Sequence, residues 1–276
     1  MTMSNIEHEV AGAEQRPATS ARSTKTSARG WLILGGAVVP VLLLFIWWAL
    51  SASGAVPAYR LPSPVSVWQA AVDMTADGTL GTHVAISTQR VLLGFLIGSL
   101  VGLLLGATVG LSKFANILLA PTIGGFRAVP SLAWVPLLTL YVGINEDSKV
   151  ILIAIGALFP VYTTVSGALR HVDAHLVELG RTYGLGRVQL LQQVQLPAII
   201  PSIVSGLRLA LAQAWLFLVA GELLGAAMGL GFLLTDSQNN GRIDRMFLTI
   251  ILLAVLGKTT DALIGLLEKY LLKRWG

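Results

Sequence analysis

Long apolar runs separated by short polar stretches make up most of the chain. The first polar stretch, 1–30, mixes Ser, Thr and Ala with charges of both signs and reads as a disordered tail. Residues 31–50 form an apolar run of the length a helix needs to cross a hydrocarbon layer, about 20 residues. Its apolar core is too long and its leader too extended for a cleaved signal peptide, so it reads as an uncleaved anchor. Further apolar runs occupy 83–111, 114–142, 150–169, 199–220 and 246–267. The pattern predicts an all-α integral membrane protein with six transmembrane helices.

The runs differ in texture. In the second, Gly94, Gly98, Gly102, Gly106 and Gly110 recur every four residues, which lines them along one side of a helix and lets a neighbouring backbone approach closely. The third is interrupted by Pro121, Pro130 and Pro136, with Arg127 in its middle. A straight helix is not expected there; broken helices at membrane depth face protein or a water-filled cavity. The fourth is expected to bend at Pro160. Between the first two runs, the segment LPSP at 61–64 is extended and leads into an amphipathic helix over 65–74. Residues 221–245 read as a glycine-rich, then polar, outer connection.

The polar stretch 173–197, DAHLVELGRTYGLGRVQLLQQVQLP, is a basic island between two apolar runs. Asp173 suits a helix N-cap. Residues 174–183 read as a short helix with Glu178 and Arg181 spaced (i, i+3) for a surface pair. Gly184 stands where that helix ends, because glycine enters the left-handed conformation cheaply. Residues 188–194 start a second helix, and Pro197 opens the next apolar run.

Composition agrees with the pattern: 276 residues, 54% hydrophobic and 12% charged, with mean hydropathy +0.74. A soluble domain carries about twice that charge. Cysteine is absent, which excludes disulfides and thiolate metal sites. The net charge of +5 is dispersed near span ends, so nucleic-acid binding explains it poorly. With six spans both ends lie on one side. Arg16, Arg22, Lys25, Arg29, Lys113, Arg170, Arg181, Arg187, Lys269, Lys273 and Arg274 fall on that side, and Arg60, Lys149, Arg242 and Arg245 on the other. By the positive-inside rule the richer side, with both termini and the 173–197 island, is cytoplasmic.

No catalytic or metal-binding grouping stands out. Gly257-Lys258-Thr259 resembles the end of a P-loop, but Leu252 occupies the position where the first glycine is required. His171 and His175 are (i, i+4) without a third ligand on that face and read as surface residues. The informative charges lie inside the runs, where each needs a partner or a wet cavity. Lys258 and Asp261 are spaced to pair. Arg90 lies near the outer interface, where its head could snorkel. Glu222 reads as structural, paired with an arginine or capping local backbone. Arg127 and Arg208 are the candidates for a substrate pathway.

The island resembles the EAA loop of binding-protein-dependent ABC importer permeases: Glu-Ala-Ala, three residues, Gly, nine residues, Ile, any residue, Leu-Pro. Glu178, Leu179 and Gly180 stand for the first three positions, followed at the right distances by Gly184, Val194, Leu196 and Pro197. Leu179 and Gly180 depart from two alanines. The segments LPSPVSVW, HVAISTQRVLLGF, RAVPSLAWVPLL and GELLGAAMGLGFLL are similar to the aliphatic sulfonate, taurine and nitrate branch, and LGKTTDALIGLLEKYLLKRW looks most like the sulfonate member.

That resemblance implies the type I ABC importer permease fold over 83–268, preceded by the first span and outer loop (31–82) and followed by a cytoplasmic tail (269–276). It implies a homodimer of the permease in the bacterial inner membrane, two ABC ATPase subunits and an extracytoplasmic solute-binding protein. It implies no cofactor and no enzymatic activity in the chain itself. Leu176, Glu178, Leu179, Gly180, Tyr183, Gly184, Leu196 and Pro197 would form the ATPase-coupling surface. The substrate would be a small organic anion: an aliphatic sulfonate, or taurine, nitrate or a vitamin precursor. A stand-alone ion-coupled transporter would show a second copy of the broken third run, and a membrane enzyme would show clustered polar groups at one interface; neither is visible.

Overall fold

The computed structural model describes residues 25–275, and every regular element among them is helical. Residues 1–24 of the expected tail lie outside the described residues. The chain divides into two bodies at residue 50. The first is essentially α1, Lys25–Ala52, which carries Pro40 in its interior and packs the Phe45 and Trp48 rings 6.0 Å apart.

The second body begins at Ser51. Ser63 caps α2 (Pro64–Ala76), accepting from the Ser66 N–H, with Pro64 in the first turn where a missing N–H costs nothing. The helix buries Val67, Ala70 and Met74, an (i, i+3, i+7) face, and leaves Trp68 exposed. Among the described residues four helices are long and apolar enough to cross a membrane: α3 (Thr79–Leu111), α6 (Glu146–Arg170), the helix running from Arg187 to Leu223, and α11 (Ile243–Trp275). The other two expected spans correspond to α1 and to the broken third run.

That run is divided as the prolines require. Helix α4 (Lys113–Ala128) ends at Val129, which is extended (φ −69°, ψ 124°) because Pro130 disfavours the helical region for its predecessor. A 3₁₀ turn at Ser131–Ala133 leads into α5 (Trp134–Tyr141), with Pro136 tolerated in its first turn. Phe126 and Trp134 stack obliquely across the break, centroids 5.9 Å apart.

The core is the packing of α3, α6 and the Arg187–Leu223 helix. Val91, Ile153, Ala214 and Leu218 meet at one end, and Ala157, Val161, Ile199 and Ala210 at the other. The glycine stripe of α3 faces α6. A Cβ at Gly98 would run into the Ala154 carbonyl oxygen, and one at Gly102 would lie 2.6 Å from the Leu158 carbonyl oxygen. Lipid is as apolar as leucine, so burial of apolar area drives little association between such helices; close contact and dispersion do. A backbone-to-backbone approach maximises that contact, and it requires hydrogen where every other residue has a methyl group.

The 221–245 connection contains α10 (Leu230–Asn239), with Leu230, Gly231, Leu233 and Ser237 buried. Helix α11 continues over the expected tail segment as far as Trp275.

Candidate functional site

The 173–197 island is a built unit. Asp173 accepts from the His175 N–H at 2.9 Å and starts α7 (Ala174–Thr182). The helix closes on Gly184 at φ +77°. The Leu185 N–H reaches the Gly180 carbonyl at 3.1 Å and the Gly184 N–H reaches that of Arg181 at 2.9 Å, the paired bonds of a Schellman stop. The next helix, α8 (Arg187–Leu190), is fastened by the Gln189 side chain, which accepts from the Gly186 N–H at 3.0 Å.

Sequence reading placed a boundary at Pro197, but the helix passes through it. Residues Leu191–Gln195 form a π turn joining α8 to α9 (Leu196–Leu223). Proline at 197 has no N–H to give to the Gln193 carbonyl, and the Leu196 N–H bonds one residue further back, to the Leu191 carbonyl. The second helix of the island is therefore continuous with a helix long and apolar enough to cross a membrane.

Of the expected coupling residues, Leu176, Leu179 and Tyr183 form an apolar (i, i+3, i+7) ridge on α7; Tyr183 is 79% exposed. They border a cavity of about 480 Å³ with Leu185, Gln193 and Val194. Glu178 is exposed and makes no ion pair with Arg181. Gly180 is buried: a Cβ there would sit 2.6 Å from Leu190 Cδ1. The glycine that departs from the family's alanine lets α7 settle onto α8.

The intramembrane charges are mostly taken up. Arg90 does not snorkel: it is 4% exposed, donating from Nη1 to Glu222 at 2.6 Å and to the Met228 carbonyl at 2.8 Å, and from Nη2 to Glu146 at 2.7 Å. Glu222, 1% exposed, also accepts from Ser87 Oγ (2.8 Å) and from the Gly231 N–H at the start of α10 (2.7 Å). This clasp ties α3, α6, α9 and α10 together. Glu146, Lys149 and Ser87 were not singled out from the sequence. The lone carboxylate Glu222 inside an apolar run was the available signal, since a buried charge demands partners.

Arg208 forms a bidentate pair with Asp261 of α11 (2.8 and 2.9 Å) and reaches Glu268 at 3.3 Å. Lys258 is only 3.7 Å from Asp261 and 82% exposed, so the expected Lys258–Asp261 pair is secondary. Arg127 differs. Its Nη1 donates to Thr163 Oγ1 of α6 at 3.0 Å, and no carboxylate among the described residues pairs with it. It lines a cavity of about 320 Å³ with Phe159, Pro160, Thr163, Gln213 and Phe217. Sequence reading brought Arg127 and Arg208 forward together, and the structure gives them different surroundings.

Residues 94–273 match the family described as binding-protein-dependent transport system inner membrane component. The chain is 41% identical over 251 residues to the aliphatic sulfonates transport permease protein SsuC of Escherichia coli, covering 91% of this chain and 95% of that one. It is 38% identical over 244 residues to the protein of the same name from Bacillus subtilis, covering 88% of each. A chain of the MetNI methionine ABC transporter, solved in inward-facing conformations, superposes with TM-score 0.52 at 26% identity, covering 70% of this chain and 92% of that one. The chain belongs to the binding-protein-dependent transport system inner membrane component family, as an ABC importer permease of the sulfonate, taurine and nitrate branch.

Proposed function

We propose that this chain forms the translocation pathway of an ATP-driven importer for aliphatic sulfonates, acting as a pair of identical permeases with two ATPase subunits and an extracytoplasmic solute-binding protein. Both termini and the 173–197 island face the cytoplasm, where ATP is available. The reading is carried by one observation above others: an apolar ridge, Leu176, Leu179 and Tyr183, stands exposed on a capped helix seated against α8, and α8 runs through the π turn into α9. An amphipathic helix presenting such a ridge suits a groove on a partner.

In this scheme closure of two ATPases moves the two α7 helices. The Gly184 stop, buried Gly180 and the Leu196–Pro197 junction make the island stiff enough to pass that movement to α9. Glu178 supplies a free carboxylate at the contact. Arg127 lies on the pathway, while Arg208, neutralised by Asp261, holds α9 to α11. Names of relatives support sulfonates as the cargo, with discrimination resting mainly on the binding protein.

The test is reconstitution. The chain, co-expressed and purified with a candidate ABC ATPase subunit, is placed in proteoliposomes with a candidate sulfonate-binding protein. Uptake of an alkanesulfonate that requires ATP supports the reading. Uptake by the chain alone along an ion gradient, with no ATPase co-purifying, overturns it.

A further inference from the structure

The cavity beside Arg127 has the chemistry of a two-part ligand site. Arg90, Lys149, Arg208 and Lys258 each have a carboxylate within 4.0 Å; Arg127 has none among the described residues. Its neighbour Thr163 gives its own hydroxyl proton to the Phe159 carbonyl at 2.8 Å, so Thr163 can only accept from Arg127. Thr164 is likewise committed to the Pro160 carbonyl at 2.7 Å. The uncommitted donors on this wall are therefore the remaining guanidinium N–H groups and the Gln213 amide. Phe159, Leu209 and Phe217 supply an apolar face, and Phe217 is seated on α6 because Gly156 has no Cβ to collide with its ring.

We infer that this cavity is a transit site for an amphiphilic monoanion, with Arg127 and Gln213 holding the anionic head and the Phe159, Leu209 and Phe217 face holding the alkyl tail. A volume of about 320 Å³ is at the small end of the range for small-molecule pockets, about 300–1,000 Å³. Arg127 is exposed at the mouth of this open cavity, and a guanidinium with no carboxylate beside it attracts anions and repels cations. A sulfonate head, singly charged with three acceptor oxygens, meets the donors that are free; the neutral hydroxyls, which can only accept, do not compete. The assignment rests on the importer reading for its biological meaning, but its chemistry stands without an ATPase.

The absence of cysteine from the chain makes a direct test available. Gln213→Cys in the full-length chain, in membrane vesicles, introduces a single thiol at the head position. Its modification is timed with 2-sulfonatoethyl and 2-(trimethylammonium)ethyl methanethiosulfonate, each rate divided by that with a free small thiol. The anionic reagent is expected to be favoured about tenfold or more by the focused field. Arg127→Gln should bring the ratio near one, Arg127→Lys should preserve it, and hexanesulfonate should protect the thiol. Leu209→Cys repeats the test from the tail face should the first variant fail to accumulate. A ratio near one with Arg127 present, a ratio indifferent to Arg127→Gln, or no modification by either reagent overturns the site. Charge-selective labelling without ATP-driven uptake sinks the importer reading alone; uptake without charge selectivity sinks the site alone.

Discussion

Arg90 on α3 and Glu222 on α9 meet through a 2.6 Å hydrogen bond with both side chains almost completely buried. Each ion would be prohibitive alone in this environment; together, with Glu146, Ser87 and the Gly231 N–H completing the shell, they join helices far apart in the chain. Removing either partner strands the other. Arg90→Ala or Glu222→Ala is expected to destabilise the folded chain by about 3–5 kcal/mol. The double variant Arg90→Leu/Glu222→Leu should cost clearly less than the sum of the two single leucine substitutions. Thermal unfolding of the detergent-solubilised variants, arranged as a double-mutant cycle, measures this coupling.

The glycine stripe predicts a contrast within one residue type. Gly98→Ala places a methyl group against the Ala154 carbonyl, a backbone atom that can yield only by moving α6. Overpacking of this kind costs about 1–3 kcal/mol. Gly124→Ala meets nothing within 4 Å and should be neutral or slightly stabilising. Melting temperatures of the two variants, measured side by side, should separate accordingly.

The stop at Gly184 has a local cost of substitution that can be stated. A side chain at φ +77° loses about 1–2 kcal/mol relative to glycine. Gly184→Ala is expected to lower the stability of the island while leaving the spans intact, and Gly184→Asn to be milder, since asparagine visits this region more readily. Gly184→Trp should sever ATP hydrolysis from uptake or prevent assembly with the ATPase. Parallel assays of ATPase rate and sulfonate uptake report the outcome; full uptake by the tryptophan variant would count against the coupling role.

Arg208 and Asp261 should behave as a unit. With the guanidinium bound through both ends to one carboxylate, Arg208→Gln and Asp261→Asn are expected to impair transport to the same degree, and the exchange Arg208→Asp/Asp261→Arg to recover part of it. Were Arg208 instead an independent anion contact, Asp261→Asn would raise uptake while Arg208→Gln lowered it. Initial rates of uptake at matched expression distinguish the two.

The tail of the ridge on α7 makes the last prediction. Leu176, Leu179 and Tyr183 are exposed and contribute little to folding. Leu179→Ser and Tyr183→Ser should leave the melting temperature of the isolated permease within about one degree, because surface changes usually stay within 0.5 kcal/mol. The same variants should weaken capture of the ATPase at least several-fold in a pull-down.

The apolar runs, the polar island, its cap at Asp173 and its stop at Gly184 were legible in the sequence because each is a local consequence: run length, side-chain acceptors and glycine's freedom act within a few residues. The broken third run was legible for the same reason, through Pro130 and its effect on Val129. Helix α10 was not. It is only ten residues long, follows a glycine-rich stretch, and is held in place by Glu222 and Ser87, which act from other elements. Continuity through Pro197 was missed because proline ordinarily interrupts a helix, and here a π turn absorbs the missing hydrogen bond.

What the one-dimensional pattern determined by itself was that the chain belongs in lipid, which side of α3 would pack, and where a rigid polar knob would stand. Only the tertiary structure decided which charges are neutralised. Arg90, Arg127 and Arg208 look alike in sequence, each an isolated cation in an apolar run; their fates depend on carboxylates more than 50 positions away. Electrostatic pairing is set by distance in space, and chain order does not encode that distance until the helices have packed.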